Sequence, residues 1–433
     1  MYDLAIVGGG PKALAVCVRL RALETVNKLR RPIAITVLES NDWGANWSGQ
    51  HGHTRNTARL ATPPDRDLAF PYDDDEKLLP GLRLELLRYS WRAYLIAKGL
   101  YQDWIERDSP PPLVEEWASY LAWAGATVLL PAANPPGNRL IVDLVKGQVG
   151  ERKLALTVDG AHWTIDLGAK HLEAWGLLLT GPGEARRIEP SSIHGAPKQI
   201  QCWTSESFYR RKKDVKGVKS AAVIGSGGAA AEALLHINQR WPNAEMTVYS
   251  GASSLWTRGA SRFEWAAADP ATWKSLSKAQ KTEYLARIAQ GAISSHVLRN
   301  VEAIPTDLLK YQSQRITSLV NTPNGIQVKS GAAVLDTVDI VVQCAGYDLY
   351  KQLGLLNEAT RASLAKRLQI NSHELQPLFN KFKVKVSKSL SVRFPAGARL
   401  YWPTAAAMKY GPSFADLTRL GHTARAIVTN LNR

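Results

Sequence analysis

Leu4-Ala5-Ile6-Val7-Gly8-Gly9-Gly10-Pro11-Lys12-Ala13-Leu14-Ala15 runs a short apolar strand into three glycines and out into a helix, on which Val16, Leu20 and Leu23 recur at helical spacing. Gly8, Gly10 and Ala13 fit the G-x-G-x-x-G/A spacing. In such a turn the first glycine permits the bend, the second lets a pyrophosphate reach the backbone, and the following helix aims its N-terminal amides at the phosphates. A second apolar strand, Ile33 to Leu38, ends on Glu39, where a carboxylate can hold the ribose hydroxyls of FAD or NAD.

The pattern recurs once. Ser220 to Ile224 leads into Gly225-Ser226-Gly227-Gly228-Ala229-Ala230, so Gly225, Gly227 and Ala230 repeat the spacing between a strand and a helix. Its second strand, Met246 to Tyr249, ends in Ser250-Gly251 with no carboxylate to repel a 2′-phosphate, and Arg258 follows a few residues later. That arrangement suits NADPH better than NADH. The fold expected is α/β, with two Rossmann-like dinucleotide-binding domains (FAD and NADPH), the second inserted in the first. The boundaries expected are 1–210 for the first part of the FAD domain, 211–335 for the NADPH domain, and 336–433 for the rest of the FAD domain with a C-terminal substrate segment.

Between these landmarks, residues 42–75 form a polar loop rich in glycine and proline, too long to be only a connection. Helical patterns span Leu82 to Gly99 and Leu113 to Trp123. Strand patterns span Leu154 to Leu167, Trp175 to Thr180 and Asp339 to Cys344. The 433 residues, 45% of them hydrophobic, can bury two or three domain cores. Cys17, Cys202 and Cys344 are scattered, without the C-x-x-C spacing of a zinc site or redox dithiol, so no metal is expected and a reducing cytoplasmic setting is. No leader or membrane span is apparent in the sequence. The formal charge of +16 raises nucleic acid or anionic membranes as partners. The charge is diffuse, however: Arg210 to Lys213 reads as a basic loop, and Lys381, Lys383, Lys385 and Lys388 read as an alternating exposed strand.

Narrower blocks accompany the glycine turns: Gly44-Ala45-Asn46-Trp47, Thr62-Pro63-Pro64-Asp65-Arg66-Asp67-Leu68-Ala69-Phe70-Pro71-Tyr72, Arg88-Tyr89-Ser90-Trp91, Tyr120-Leu121-Ala122-Trp123, Thr180-Gly181-Pro182-Gly183, Thr257-Arg258-Gly259 and Gly411-Pro412-Ser413-Phe414-Ala415-Asp416-Leu417. With these the chain resembles, over nearly its whole length, the N-hydroxylating flavin monooxygenases of siderophore pathways, most of all the mycobactin-type lysine N6-hydroxylase branch. The resemblance implies that NADPH reduces FAD, that the reduced flavin captures O2 as a C4a-hydroperoxide, and that a side-chain amine of lysine, or next ornithine, takes the distal oxygen. It places Gly8, Gly10, Pro11, Lys12, Glu39, Asn46, Trp47, Asp416 and Leu417, with Gly225, Ser226, Gly227 and Arg258, at the cofactors, and Arg66 and Ser413 at the substrate. A homo-oligomer is expected, with no nucleic-acid partner.

The chain also departs from the family pattern. Ala61 stands where ornithine-type members carry a glutamine beside the flavin, and Arg66 stands where they carry a lysine for the substrate carboxylate. The substrate asparagine expected near Phe263-Glu264-Trp265 is missing, as is a nicotinamide-contacting asparagine near Ala289-Gln290. A related oxygenase acting on another amine, on sulfur or on a ketone therefore stays open, and no catalytic acid or base is assigned. His51 and His53, in the polar loop, have no partner carboxylate visible. A flavin disulfide reductase is excluded, because no cysteine pair follows either turn.

Overall fold

In a computed structural model, the structure describes residues 1–51, 55–72, 76–131, 137–147, 154–156, 160–168, 170–197, 199–210, 215–257, 261–289 and 292–433. The first sheet is built on four parallel strands: β1 (Tyr2–Val7), β2 (Ile33–Glu39), β3 (Leu140–Lys146) and β4 (His171–Leu179). The order is β4-β1-β2-β3, and Arg399–Tyr401 extends it beside β4, also parallel. Leu4, Ala5 and Ile6 are all fully buried, since a parallel strand is covered on both faces and has no reason to alternate. Helix α1 (Pro11–Thr25) packs against the C-terminal helix Leu420–Leu431, so the chain's two ends close one core. Helix α2 (Val114–Leu129) covers α1 and β3.

The second sheet is wholly parallel. Its strands are β5 (Cys202–Thr204), β6 (Ser220–Ile224), β7 (Glu245–Tyr249), β8 (Leu309–Gln312) and β9 (Ile340–Gln343), ordered β8-β7-β6-β9-β5. Helix α3 (Gly228–Arg240) follows β6. A small four-stranded sheet of Ser191–Ser192, Ser318–Thr322, Gly325–Ser330 and Ala333–Val338 packs on Ala222, Ile224, Tyr249 and Val341 of this domain. The insertion is as expected, but its limits are not. β5 lies before residue 210 and β9 after 335, yet both pair in the second sheet, so hydrogen bonding moves both expected boundaries outward.

Two further expectations change. Leu82 to Gly99 is not one helix but two, Leu82–Leu87 and Trp91–Ala97. The break is made by Ser90, whose hydroxyl caps the second helix at the Ala93 amide, and by Asp67, whose carboxylate accepts the Trp91 amide at 3.0 Å. The basic run at Lys381 to Lys385 ends a helix, Leu375–Lys385, and is not an exposed strand. Leu378, Phe379 and Phe382 are buried at helical spacing, with both phenylalanines against Trp402; Lys383 and Lys385 fall in the last turn, where the helix dipole favours them, and Lys388 lies in a turn beyond it.

Candidate active site

Gly10 is the N-cap of α1 in extended backbone (φ −84°, ψ −172°); no side chain caps the helix and its first turn holds no acidic residue. Its first amides therefore lack a side-chain acceptor and face a cavity of about 300 Å³, where a phosphate would supply one. Gly8 sits at φ +97°, and a Cβ there would lie 2.6 Å from Thr180 Oγ1. A Cβ on Gly10 would meet nothing within 4 Å, because that side opens into the cavity. Glu39 closes one end: its Oε2 accepts the Gly9 amide at 2.7 Å, and its Oε1 accepts the Asn41 amide. Pro11, Asn46, Trp47, Asp416 and Leu417 line the same cavity, so the first-site residues singled out in the sequence converge here from both ends of the chain.

Lys12 fixes the far wall. Its ammonium donates to Thr404 Oγ1 at 3.0 Å and to the Ala415 carbonyl at 2.8 Å. Burial pulls its pKa down to about 8, with the Asp416 carboxylate pulling the other way. A pyrophosphate nearby favours the protonated form. FAD should therefore bind the apoprotein tightly below pH 8 and lose affinity above it, by at most about tenfold per pH unit for one proton. Titrating apoprotein with FAD between pH 7 and 9 reads this directly. Lys12→Met should bind more weakly, with a flat profile; a flat profile in the unsubstituted protein would remove Lys12 from the phosphate site.

The second turn repeats the construction. Gly225 lies at φ +131° against the Cys344 carbonyl, and Gly227 is the N-cap of α3, again without a side-chain cap or a first-turn acid. Ser250, directly after β7, donates to Ser226 Oγ at 3.0 Å, so a hydroxyl pair stands where NAD sites place a carboxylate. Arg258 and Gln290 lie outside the described residues, as does His53. The polar loop joins the two domains: Arg55 pairs with Glu232 Oε2 on α3 at 3.1 Å and bonds Gln239 at 2.9 Å.

A further pocket, of about 240 Å³, adjoins the cavity of the first glycine turn, and Asp416 lines both. Its walls include the apolar and aromatic Trp265, Ala267, Ala268, Leu276 and Tyr284 and the charged Glu264, Glu283 and Arg287, with Thr418 beside them. Arg66 stands beside it with its guanidinium 3.8 Å from the Trp265 ring centre and 4.9 Å from that of Phe70, and it bonds the Thr418 carbonyl at 3.4 Å. Burial and the nearby Arg419 charge lower its pKa, while Asp416 opposes them. Ser413 is fully buried, and its hydroxyl has no hydrogen-bond partner among the described residues. His51 is exposed.

Taken together, two uncapped helix N-termini, a carboxylate after the first βαβ unit and a hydroxyl after the second fit FAD and NADPH. The profile of the L-lysine 6-monooxygenase/L-ornithine 5-monooxygenase family matches residues 85–322. The L-lysine N6-monooxygenase MbtG of Mycolicibacterium paratuberculosis is 30% identical over 97% of this chain and 94% of its own. The chain belongs to this family. MbtG of Mycobacterium tuberculosis strain H37Rv is 29% identical over 96% of this chain and 92% of its own. Among solved structures, the lysine monooxygenase NbtG of Nocardia farcinica superposes with a TM-score of 0.75 at 24% identity, covering 98% of each chain. The Kutzneria ornithine N-hydroxylase superposes at 0.72 and 16%, covering 100% of this chain and 99% of that one.

The cavity of this monooxygenase is also lined by residues with no site assignment in the sequence. Thr180, Glu206, Tyr347 and Thr404 line the flavin cavity. Of these, Thr180, in the Thr180-Gly181-Pro182 block, and Tyr347, at the end of the Cys344-Ala345-Gly346-Tyr347 strand, carry a local signal, and Glu206 and Thr404 do not. Trp265 lies in the segment where the family's asparagine is missing, and its contact with Arg66 has no signature in the chain's order. No group of three or more His, Cys, Asp or Glu that could hold a metal occurs among the described residues, and no described helix is long and apolar enough to cross a membrane.

Proposed function

We propose that this family member hydroxylates the side-chain nitrogen of L-lysine for hydroxamate siderophore synthesis, acting in the cytoplasm as a homo-oligomer. The overall balance is amine, O2, NADPH and a proton going to hydroxylamine, water and NADP+. When bound, FAD supplies the oxygen-activating chemistry and NADPH the electrons. The observation that carries the reading is the shared Asp416 wall, which sets a pocket with apolar and charged walls and a fixed guanidinium at its side directly against the cavity of the first glycine turn.

The protein's own residues then divide the work. Gly10 and the α1 amides hold the FAD pyrophosphate, and Glu39 its ribose. Gly225, Ser226, Gly227 and Arg258 hold NADPH. Arg66, its guanidinium already over the Trp265 ring, receives the substrate carboxylate bidentately, and Ser413 offers its unpaired hydroxyl to a polar group of the substrate. The apolar walls exclude water and accept the methylene chain, and the amine must lose the proton it carries in water, with a pKa near ~10.4, to become nucleophilic. Lysine should therefore show a higher kcat/KM than ornithine or cadaverine, since only lysine offers both the carboxylate and the longer chain. Ornithine surpassing lysine would move the assignment to the other half of the family.

The reductant follows from Ser250. NADPH should reduce the flavin far faster than NADH at equal concentration. Ser250→Glu should cost NADPH roughly tenfold or more in affinity, because a carboxylate would stand beside the 2′-phosphate. Stopped-flow reduction with each nucleotide measures it; equal loss for both would place Ser250 away from the adenosine end.

A further inference from the structure

A cavity of about 660 Å³ shares no lining residue with the flavin cavity or the Trp265 pocket. Four cationic side chains line it, those of Lys388, Arg399, Arg425 and Arg433, together with the Thr429 hydroxyl and with Ser387 and Ser389, whose hydroxyls bond each other at 2.9 Å. Its one acidic side chain, Asp269, is already committed to Arg419 Nη1 at 3.0 Å. The cations sit on regular elements: Arg399 opens the strand that extends the first sheet, while Arg425 and Thr429 stand four residues apart on the helix Leu420–Leu431, and so on one face. Phe414 and Ala426 add an apolar wall.

We infer that this cavity binds a phosphate-bearing organic small molecule of about nucleotide size, separate from FAD and NADPH. Positive charge gathered in a concavity attracts an anion, and three guanidiniums beside the Thr429 hydroxyl offer the forked and single donors that a phosphate ester accepts. The concave shape and the apolar wall favour a small organic phosphate over a flat acidic protein surface. The wall segment also matters to the established site, because Phe414 leads directly into Ala415, Asp416 and Leu417 of the flavin cavity.

The test uses FAD-loaded protein in excess NADP+, so that both glycine turns are occupied, and titrates ADP, inorganic pyrophosphate and citrate by calorimetry. ADP and pyrophosphate should each bind saturably at one site, with ADP tighter because only it reaches the apolar wall, and citrate should bind much more weakly. Arg425→Gln should weaken ADP by about tenfold or more, as loss of one charge-assisted contact does. Lys388→Gln, an exposed position whose change leaves the fold intact, should weaken it about two- to fivefold and flatten its dependence on salt. No saturable binding of either phosphate at millimolar concentration, affinities unchanged in Lys388→Gln, or citrate binding as tightly as ADP would overturn the inference.

Discussion

Replacing Gly10 with valine is expected to give a folded protein that carries almost no FAD. A Cβ at Gly10 meets nothing within 4 Å and its backbone is extended, so the protein alone accepts the larger residue without strain. The new methyls would instead occupy the space before the uncapped amides of α1. Losing two charge-assisted contacts of ~1.5–3 kcal/mol each would lower FAD affinity by roughly 10²- to 10⁴-fold. Gly8 gives the contrast. Its φ of +97° and the 2.6 Å approach to Thr180 Oγ1 mean that Gly8→Val should damage folding itself. Far-ultraviolet circular dichroism with flavin absorbance separates the two outcomes: a yellow, fully loaded Gly10→Val protein would contradict the phosphate assignment.

Arg66→Ala is expected to raise the KM for lysine by an order of magnitude or more while leaving NADPH-driven flavin reduction nearly intact. The guanidinium is held in place before any substrate arrives, by the Trp265 and Phe70 rings and by the Thr418 carbonyl. A carboxylate meeting it therefore loses little to ordering the side chain. Cadaverine, which has no carboxylate, should lose much less than lysine. Arg66→Lys should recover part of the affinity, because it keeps the charge but not the stacked, forked geometry. Equal losses for lysine and cadaverine would show that Arg66 only holds Trp265 in position.

Local order in the chain made the two cofactor turns legible. Gly8, Gly10, Glu39, Gly225, Gly227 and Ser250 each act within one strand-turn-helix unit, where spacing and structure are nearly the same information. What spacing could not convey was pairing at long range. Lys12 is tied to Thr404 and Ala415, and Arg66 to Trp265, across stretches of chain with no periodicity between them. The helix Leu375–Lys385 was masked because lysines alternate on its surface while the phenylalanines that decide its period are only three apart. The domain limits were missed for a related reason: β5 and β9 join the second sheet through parallel pairing to β9 and β6, and short parallel strands carry no mark of their neighbours. Asp67 is a third case. Its carboxylate organises the loop by accepting Tyr72 Oη at 2.6 Å and the Trp91 amide, and burial raises its pKa to about 6, yet in the sequence it is one acid among several.

The reaction proposed for this enzyme is oxygen transfer to an amine nitrogen. The most direct measurement incubates FAD-loaded protein with NADPH, L-lysine and ¹⁸O2 and follows the product by mass spectrometry. The expected result is N6-hydroxylysine carrying one labelled oxygen on the side-chain nitrogen, formed in proportion to the NADPH consumed. NADPH oxidation that yields only hydrogen peroxide, with no hydroxylated product from lysine, ornithine, arginine or cadaverine, would contradict it.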